Sequence, residues 1–549
     1  MKNLKNRYQL LSLLIVFSIG TYFRLDQILS QVLILDEWHA VHQLTYHSPL
    51  QAMRSLGYAD HSIPLVLYYF FVMEFTPITE LILRFPMILS GLLTLLLFPL
   101  AIRQQMNFKI VLIFAILVAM SPFMISYARI ARPYAVTLFG IYVAFWCLER
   151  AIKDRQIIWW PASAYVFLSG LIIWMHAITG PILIAPLIVL WWSKLRGRDL
   201  AWVDIVLLTG STGLIMALAV LPPLLLDLGA IKEKSGIDSI NWETVYGALF
   251  LWFGTGSMLI VLLSAVLASL GWAQIWRSVP IVRWVALGSG LTATILFLSE
   301  PWFINQPLAL GRYLLPLVPV LLLAVATGIV RVAENLNNVL RTQGNQSEAS
   351  YVLTCVLATP FLVASWHMSP LPELLSRPNS YTQDSYFQLD YRKENNPVRP
   401  FARKLTESPF WAKLNTLPSN TLKVAVAPFS YAIFDWPAPL WEGISHQTVV
   451  PAYLWGTCKQ TRHGETPDDG RFIFRNAVHV KNINTSTEKE IDYLIFFIIK
   501  KTDEEFLKLK VSVNDLECEK WVRLKYGNPD YEDPELIVWR VNPSAPLLK

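Results

Sequence analysis

Runs of about twenty apolar residues recur along this chain, and no other feature constrains its fold as strongly. A helix needs about 20 residues to cross about 30 Å of hydrocarbon. Stretches of that kind lie near 8–29, 80–102, 109–127, 130–150, 157–176, 179–195, 202–226, 244–272, 280–299, 307–331 and 350–367. With 54% hydrophobic residues and 21 Trp in 549 positions, the composition excludes an ordinary soluble enzyme. The first run, Tyr8 to Leu29, is too long for a removed signal peptide and lacks a small-residue cleavage site, so it reads as a retained span. His61 to Phe75, apolar around Pro64, is too short to cross; with Ser48 to Leu56 it predicts helices lying at the outer interface.

Charge then sets the orientation, because cytoplasmic loops carry the excess Lys and Arg. With the N-terminus inside, the inner loops hold Lys2, Lys5, Arg7, Arg103, Lys109, Arg150, Lys153, Arg155, Lys194, Arg196, Arg198, Arg277, Arg283, Arg331 and Arg341. The outer connections hold only Arg54, Arg129, Arg132, Lys232 and Lys234. Eleven spans place the C-terminus outside. The net charge of +6 is spread over short loops and gives no argument for nucleic acid.

After Trp366 the composition changes. Pro, Asn, Ser and charge dominate from Pro370 to about Pro418, and strand-like runs follow at Leu422–Ala427, Ile491–Ile499 and Leu536–Val541. Amphipathic segments such as Asp503–Leu509 lie between them. The chain therefore divides into a membrane part over 1–368, with an outer loop over 30–79, an irregular linker over 369–420, and a soluble extracytoplasmic α/β domain over 421–549. Cys147 and Cys355 fall within spans and read as core residues, whereas Cys458 and Cys518 are positioned to pair if their region is extracytoplasmic.

The chemistry concentrates on the outer side. Asp36 and Glu37 follow the first span, where a carboxylate can take a proton from an acceptor hydroxyl or amine; solvated loop charges are the bland alternative. Arg129 and Arg132, in Ser126-Tyr127-Ala128-Arg129-Ile130-Ala131-Arg132-Pro133-Tyr134, stand on the side that should be poor in cations. A guanidinium fork suits a phosphate; snorkelling, or pairing with Asp36 or Glu37, is the structural alternative. Arg312 repeats the theme in Leu310-Gly311-Arg312-Tyr313-Leu314-Leu315-Pro316, Lys232 and Lys234 follow Asp227, and Arg84 reads as a helix-end anchor. Tyr127, Tyr134 and Tyr313 can stack on a sugar, although an aromatic belt explains them equally. Of His39, His42, His61 and His176, the first two share a workable helical spacing with Asp36 for a divalent cation, but there is no HExxH, CxxC pair or Asp-x-Asp, and a satisfied interfacial histidine is the bland alternative. No glycine-rich nucleotide loop occurs.

Together these segments resemble the GT-C class of membrane glycosyltransferases, in particular the family-39 branch of protein O-mannosyltransferases and aminoarabinose transferases. The resemblance runs from Arg24 to about Thr327. It rests on Asp36-Glu37, on Asp60-His61-Ser62-Ile63-Pro64-Leu65, on Arg84-Phe85-Pro86 with Gly91 and Leu93-Thr94, on Tyr127–Tyr134, and on Arg312–Pro316. The His-Pro-Pro segment lacks its first Pro here, and the C-terminal region does not look like a β-trefoil MIR module.

The resemblance implies a helical bundle under a first outer loop of interfacial helices, and a sugar donor carried on polyprenyl monophosphate. Arg129, Arg132, Arg312 and Lys232 would hold the donor phosphate, while His61, Tyr127, Tyr134 and Tyr313 would meet acceptor or sugar. Asp36 would be the base for direct inverting attack, with Glu37 orienting it, holding the acceptor or serving as base itself. No cofactor and no metal are implied. The implied partners are the polyprenyl-phosphate-linked sugar, membrane lipids and an extracytoplasmic glycan, lipid (lipid A included) or protein acceptor. The implied setting is cell-envelope or lipopolysaccharide synthesis at an inner membrane. A glycolipid flippase or a ligase using lipid diphosphates would share the arginines. Against the first, no internal repeat of spans is visible; against the second, the long outer loop between late spans is missing.

Overall fold

The structure, a computed structural model, describes residues 2–26, 28–29, 37, 43–44, 48–54, 62–153, 156–197, 200–229, 236–301, 304–340, 346–372, 408–427, 441, 444–454, 478–480, 491–498 and 515–547. Asp36, His39, His42, His61, Lys232, Lys234, Cys458 and Asp503–Leu509 lie outside them.

The apolar runs are helices. In chain order they are α1 (Lys2–Leu25), α2 (Pro49–Arg54), α3 (Ile63–Met73), α4 (Glu80–Ile102), α5 (Phe108–Met120), α6 (Pro122–Arg129), α7 (Tyr134–Ala151), α8 (Trp159–Met175), α9 (Gly180–Leu195), α10 (Trp202–Leu226), α11 (Trp242–Phe253), α12 (Met258–Ser278), α13 (Pro280–Ser299), α14 (Pro307–Tyr313), α15 (Val318–Leu340) and α16 (Gln346–His367). Among the described residues eight helices are long and apolar enough to cross a membrane, or nine if α5 and α6 form one bent span. The expected spans at 130–150 and 157–176 form as α7 and the 17-residue α8, apolar helices outside that set. The multi-pass helical architecture stands. Ile63–Met73, expected not to cross, is 11 residues long, about 16 Å at 1.5 Å per residue.

Three runs read as continuous are broken. The run at 109–127 bends by 54° between α5 and α6. Pro122 has no N–H to offer the preceding turn, and Ser121 caps α6 by accepting from Met124 N. The run at 244–272 divides at Gly254, which ends α11 at φ +69. The run at 307–331 divides between α14 and α15 at a 3₁₀ turn through Pro316. All three breaks free backbone groups that a straight span would have used internally.

The membrane half has one large apolar core shared by most of its helices. Its tightest contact is between α12 and α15. A Cβ on Gly271 would lie 2.1 Å from the Ala324 carbonyl oxygen, and one on Gly328 would lie 2.0 Å from the Leu267 oxygen. The two backbones touch with no side chain between them, as small residues permit in membrane helices. Cys147 is half-buried, but Cys355 faces outward on α16 beside Val352 and Val356, not into the core.

The expected strand runs form β3 (Lys423–Ala427), β6 (Tyr493–Phe497) and β8 (Leu536–Arg540) of a six-stranded sheet. A two-residue hairpin in the membrane half supplies β1 (Ile152–Lys153) and β2 (Gln156–Ile157). The large sheet also contains β4 (Thr448–Leu454), β5 (Val478–Val480) and β7 (Tyr531–Glu532), in the order β5-β4-β3-β6-β8-β7. β3 to β6 pair in parallel, while β8 and β7 are antiparallel additions. Pro451 disguised β4; it lies opposite Val426, one residue before the ladder with β5 starts at Ala452.

Both faces of the sheet are covered, as a parallel sheet requires. Ala425, Val450, Leu494 and Trp539 form one core. On the other face Val424, Val449, Ile495 and Val538 pack with α17 (Pro409–Leu414), a helix inside the expected linker. That second core continues into the membrane half through Leu44, Ala52, Leu65, Val66, Tyr69 and Phe70. The helix α18 (Asp515–Tyr526) precedes β7.

Two outcomes follow from this packing. Replacing Gly271 or Gly328 with Val should lower stability by about 1–3 kcal/mol through overpacking, read as a lower melting temperature of the full chain in detergent; an unchanged value would refute the contact. Burial, and next the Asp492 charge, raise the Tyr493 phenol to about 12, Arg540 opposing. Its folded value lies above the unfolded value of about 10. The stability it contributes is therefore complete below pH 10 and lost as pH rises towards 12. Tyr493→Phe should abolish that part of the alkaline unfolding profile, measured by tryptophan fluorescence.

Candidate active site

The site begins where α4 enters the bundle. Arg84, Met87, Ser90, Gly91, Thr94, Leu95 and Phe98 form its buried stripe, while Phe85 faces outward at 51% exposure. Gly91 is required by contact, since a Cβ there would stand 2.4 Å from the Cβ of Ala128. This lets α6 lie directly on α4 and brings Arg84 to the turn between α6 and α7.

Arg84 is not a helix-end anchor. It is fully buried and grips Glu37, also fully buried, with both arms of its fork. Nε donates to Oε1 at 2.9 Å and Nη2 to Oε2 at 2.7 Å. Oε1 also accepts from the Ala131 amide at 2.7 Å. A buried carboxylate held this way is charged and satisfied. The pair thus fastens the segment after α1 to the 130–133 turn, where the Arg132 amide donates to the Ile130 carbonyl at 2.7 Å. Tyr69 of α3 donates to the Leu83 carbonyl at 2.7 Å. Its phenol is pushed well above the usual range by burial, then by Glu37 and Tyr68, with Arg132 and Arg84 pulling the other way.

The arginines of the 129–132 segment diverge. Arg129 turns to α1, donating to the Phe23 carbonyl at 3.0 Å. Arg132 instead stands 6.0 Å over the Tyr134 ring. Arg312, at the end of α14, stands 5.7 Å from the same ring and 5.3 Å from that of Tyr313. Tyr127 meets Tyr134 edge-on at 4.9 Å. His176 lies 5.2 Å from Tyr134 and 5.7 Å from Tyr313. Arg132, Tyr127, Tyr134 and His176 are all buried. The Trp252 indole donates to the Gly311 carbonyl at 3.2 Å and fixes α14.

The structure thus gathers Arg132, Arg312, Tyr127, Tyr134 and Tyr313 from the sequence-level candidates. It sets Glu37 beside them through Ala131. Arg129 lies on the neighbouring helix face, and Asp36, Lys232 and His61 lie outside the described residues. Three further residues stand here, of which sequence reasoning gives Arg24 no role, weighs His176 only as a metal ligand and counts Tyr69 only among the aromatics able to stack on a sugar. Arg24, fully buried, donates from Nη1 to the Gly20 and Ala119 carbonyls at 2.9 and 3.5 Å and from Nη2 to Val118 at 3.2 Å. It caps the end of α5 that the 54° bend leaves open. Its place beyond a long apolar run was the available signal, as was the lone His176 at the junction of two runs. For Tyr69 the signal is its aromatic ring near the expected interface, which gives no hint of its bond to Leu83. Among the described residues no group of three or more His, Cys, Asp or Glu is placed to hold a metal ion.

Chemically, two guanidiniums beside aromatic faces are groups able to bind an anion, and the rings are flat surfaces on which a sugar can stack.

No family model matches this sequence, and no curated protein matches it. Among solved structures the chain is similar to ArnT from Cupriavidus metallidurans bound to undecaprenyl phosphate. That match has 12% identity and a TM-score of 0.42 and covers 98% of each chain. It is also similar to the Archaeoglobus fulgidus oligosaccharyltransferase tethered with an acceptor peptide containing the NVT sequon, at 13% identity and a TM-score of 0.39 over 92% of this chain and 71% of that one. AglB from Archaeoglobus fulgidus, in complex with an inhibitory peptide and a dolichol-phosphate, matches at 13% identity and 0.39 over 96% and 72%.

Arg84→Ala should destabilise the folded chain by about 3–5 kcal/mol, because it strands a buried carboxylate. The double variant Glu37→Gln with Arg84→Met should lose less than the two single changes together. Additive losses in a thermal double-mutant cycle would show that the two side chains are not coupled.

Proposed function

We propose that this chain is an integral membrane glycosyltransferase that moves a sugar from a polyprenyl-phosphate donor to an extracytoplasmic acceptor, with inversion. The observation that carries this reading is the joint placement of Arg132 and Arg312 on the faces of Tyr134 and Tyr313. The buried Glu37–Arg84 pair is tied into the same turn. A phosphate anchored in the bilayer by its lipid meets the two cations, and the rings line the approach of the sugar. Arg129 and Lys232 complete the positive field.

Asp36, which precedes Glu37 in the chain, is the base. It removes the acceptor proton as the acceptor oxygen or nitrogen attacks the anomeric carbon from the face opposite the phosphate. The bond from anomeric carbon to phosphate oxygen breaks, and its electron pair leaves on that oxygen. The arginines stabilise this developing charge, an electrostatic role of the oxyanion-hole kind. Glu37, engaged on both oxygens, orients the loop that carries the base. His61 belongs with the acceptor contacts.

The acceptor is a glycan, a lipid such as lipid A, or a protein, and the enzyme serves the cell envelope. The excess of Lys and Arg on alternate loops supports a cytoplasmic N-terminus and an extracytoplasmic sheet domain. The division is a catalytic membrane domain over 1–368 and an outer domain over 421–549, to which α17 adds from the linker.

Membranes holding the chain should release free polyprenyl phosphate from one of a panel of polyprenyl-phosphate sugars when an envelope fraction supplies acceptors. Arg132→Ala and Arg312→Ala should each lower the rate by about 10²–10³-fold, and Asp36→Asn should abolish it. Release that survives Asp36→Asn moves the base to another carboxylate. No release from any donor, with folded protein, refutes the assignment.

A further inference from the structure

We propose that Arg24 is a positioning residue of the transfer reaction, one half of a reciprocal arginine clamp that sets the bend between α5 and α6; its part in transfer rests on the donor reading above. The two halves run in opposite directions. Arg24, on the last turn of α1, donates from Nη2 to the Val118 carbonyl at 3.2 Å and from Nη1 to that of Ala119 at 3.5 Å, both at the end of α5. Arg129, the last residue of α6, donates to the Phe23 carbonyl of α1 at 3.0 Å. The end of α1 is thus fastened on both sides of the 54° bend. Packing leaves little slack around it. A Cβ on Gly20 would lie 2.6 Å from Leu95 Cδ2 and 3.0 Å from the Ala119 Cβ, and one on Gly91 would lie 2.4 Å from the Ala128 Cβ and 3.7 Å from Arg24 Nε. Residues of α1, α4, α5 and α6 therefore converge on one guanidinium.

A second observation sets Arg24 apart from a snorkelling side chain. It is fully buried, and its hydrogen bonds among the described residues all go to backbone carbonyls, whereas buried Arg84 grips a carboxylate. Burying a guanidinium on such terms is costly. What it secures is a fixed direction for α6. A span broken at a proline has freed carbonyls and a range of bend angles, and the fork removes that range by holding the last carbonyls of α5 against α1. The angle matters because of what α6 carries. Tyr127 meets Tyr134 edge-on at 4.9 Å. Two residues past Arg129 the Ala131 amide donates to Glu37 at 2.7 Å, and Arg132 follows in the same turn. A small rotation of α6 moves Tyr127, Arg132 and the seat of Glu37 together, and a displacement of about 1 Å can cost about a hundredfold in rate. Arg24 acts on all three through α6.

Two measurements on the full chain in detergent test this. Hydrogen exchange reads the clamp without any need of activity. In Arg24→Gln the amides of 121–132 should exchange about tenfold faster or more, as loss of charge-assisted hydrogen bonds predicts, while those of α9 stay as they are. Arg24→Lys, which keeps the charge but not the fork, should show a smaller change in the same direction. Turnover reads the consequence. For release of polyprenyl phosphate, kcat should fall about tenfold to a hundredfold. Donor KM should change by less than about threefold, because a loosened turn still meets the lipid phosphate but seldom in register with the base. Unchanged exchange over 121–132 in folded Arg24→Gln overturns the clamp. Faster exchange with unchanged kcat overturns the positioning role and leaves the donor reading intact. If Arg24→Gln does not fold, Arg24→Lys carries both measurements. Absence of release by folded wild type overturns the donor reading and with it the part in transfer, while the exchange result still decides the clamp.

Discussion

The buried pair of Glu37 and Arg84 is the interaction on which the rest of the outer site depends. Neither group survives burial alone, because an unpaired charge in such surroundings costs several kcal/mol. Each exists there because the other does, and the Ala131 amide adds a third hydrogen bond to the carboxylate. One interaction thereby locks three segments far apart in the chain: the first outer loop, the start of α4 and the α6–α7 turn. The orientation of Arg132 follows from that turn, and the Tyr134 ring that receives it follows from the first residue of α7.

The broken helices serve the same end. A straight span satisfies its own backbone and presents only side chains. Breaks at Ser121–Pro122 and near Leu314–Pro316 instead end helices inside the protein, where short elements such as α6 and α14 carry Tyr127, Arg129 and Arg312 inward. The freed carbonyls need donors, and arginine supplies them. Arg24 covers those at the end of α5, and Arg129 covers one at the end of α1. Some of the cations on the supposedly uncharged side are therefore structural. This separates Arg129, spent partly on backbone, from Arg132 and Arg312, which face aromatic rings.

Much of this was legible in the sequence for simple reasons. Apolar run length locates the helices because the bilayer thickness is fixed. Gly91 and Thr94 stand out only through the family resemblance, and Arg84 reads as a helix-end anchor although all three lie on the buried stripe of α4. Arginine where the charge rule expects few cations marks Arg132 and Arg312 as unusual. Pairing was not legible. That Glu37 would choose Arg84 over Arg129 or Arg132 depends on the close seating of α6 on Gly91, which no periodicity encodes. His176 reads as one more interfacial histidine until α7 and α14 are brought against it. The breaks were signalled by Pro122 and Gly254, but a hydrophobic average passes through both. β4 was missed because proline normally argues against a strand, whereas Pro451 sits where one ladder has yet to begin.

The core beneath the sheet is shared with α2 and α3, so the outer domain is not a separate body on a tether. Tyr69, Phe70, Phe410 and Trp411 belong to one apolar mass. Tyr69 also reaches the electrostatic field of Glu37 and Arg132. Any force on the sheet is thus transmitted through packed side chains to α3 and to Ala131, whose amide holds Glu37. The sheet and the Glu37–Arg84 pair belong to a single mechanical unit, in which a load on one is felt at the other.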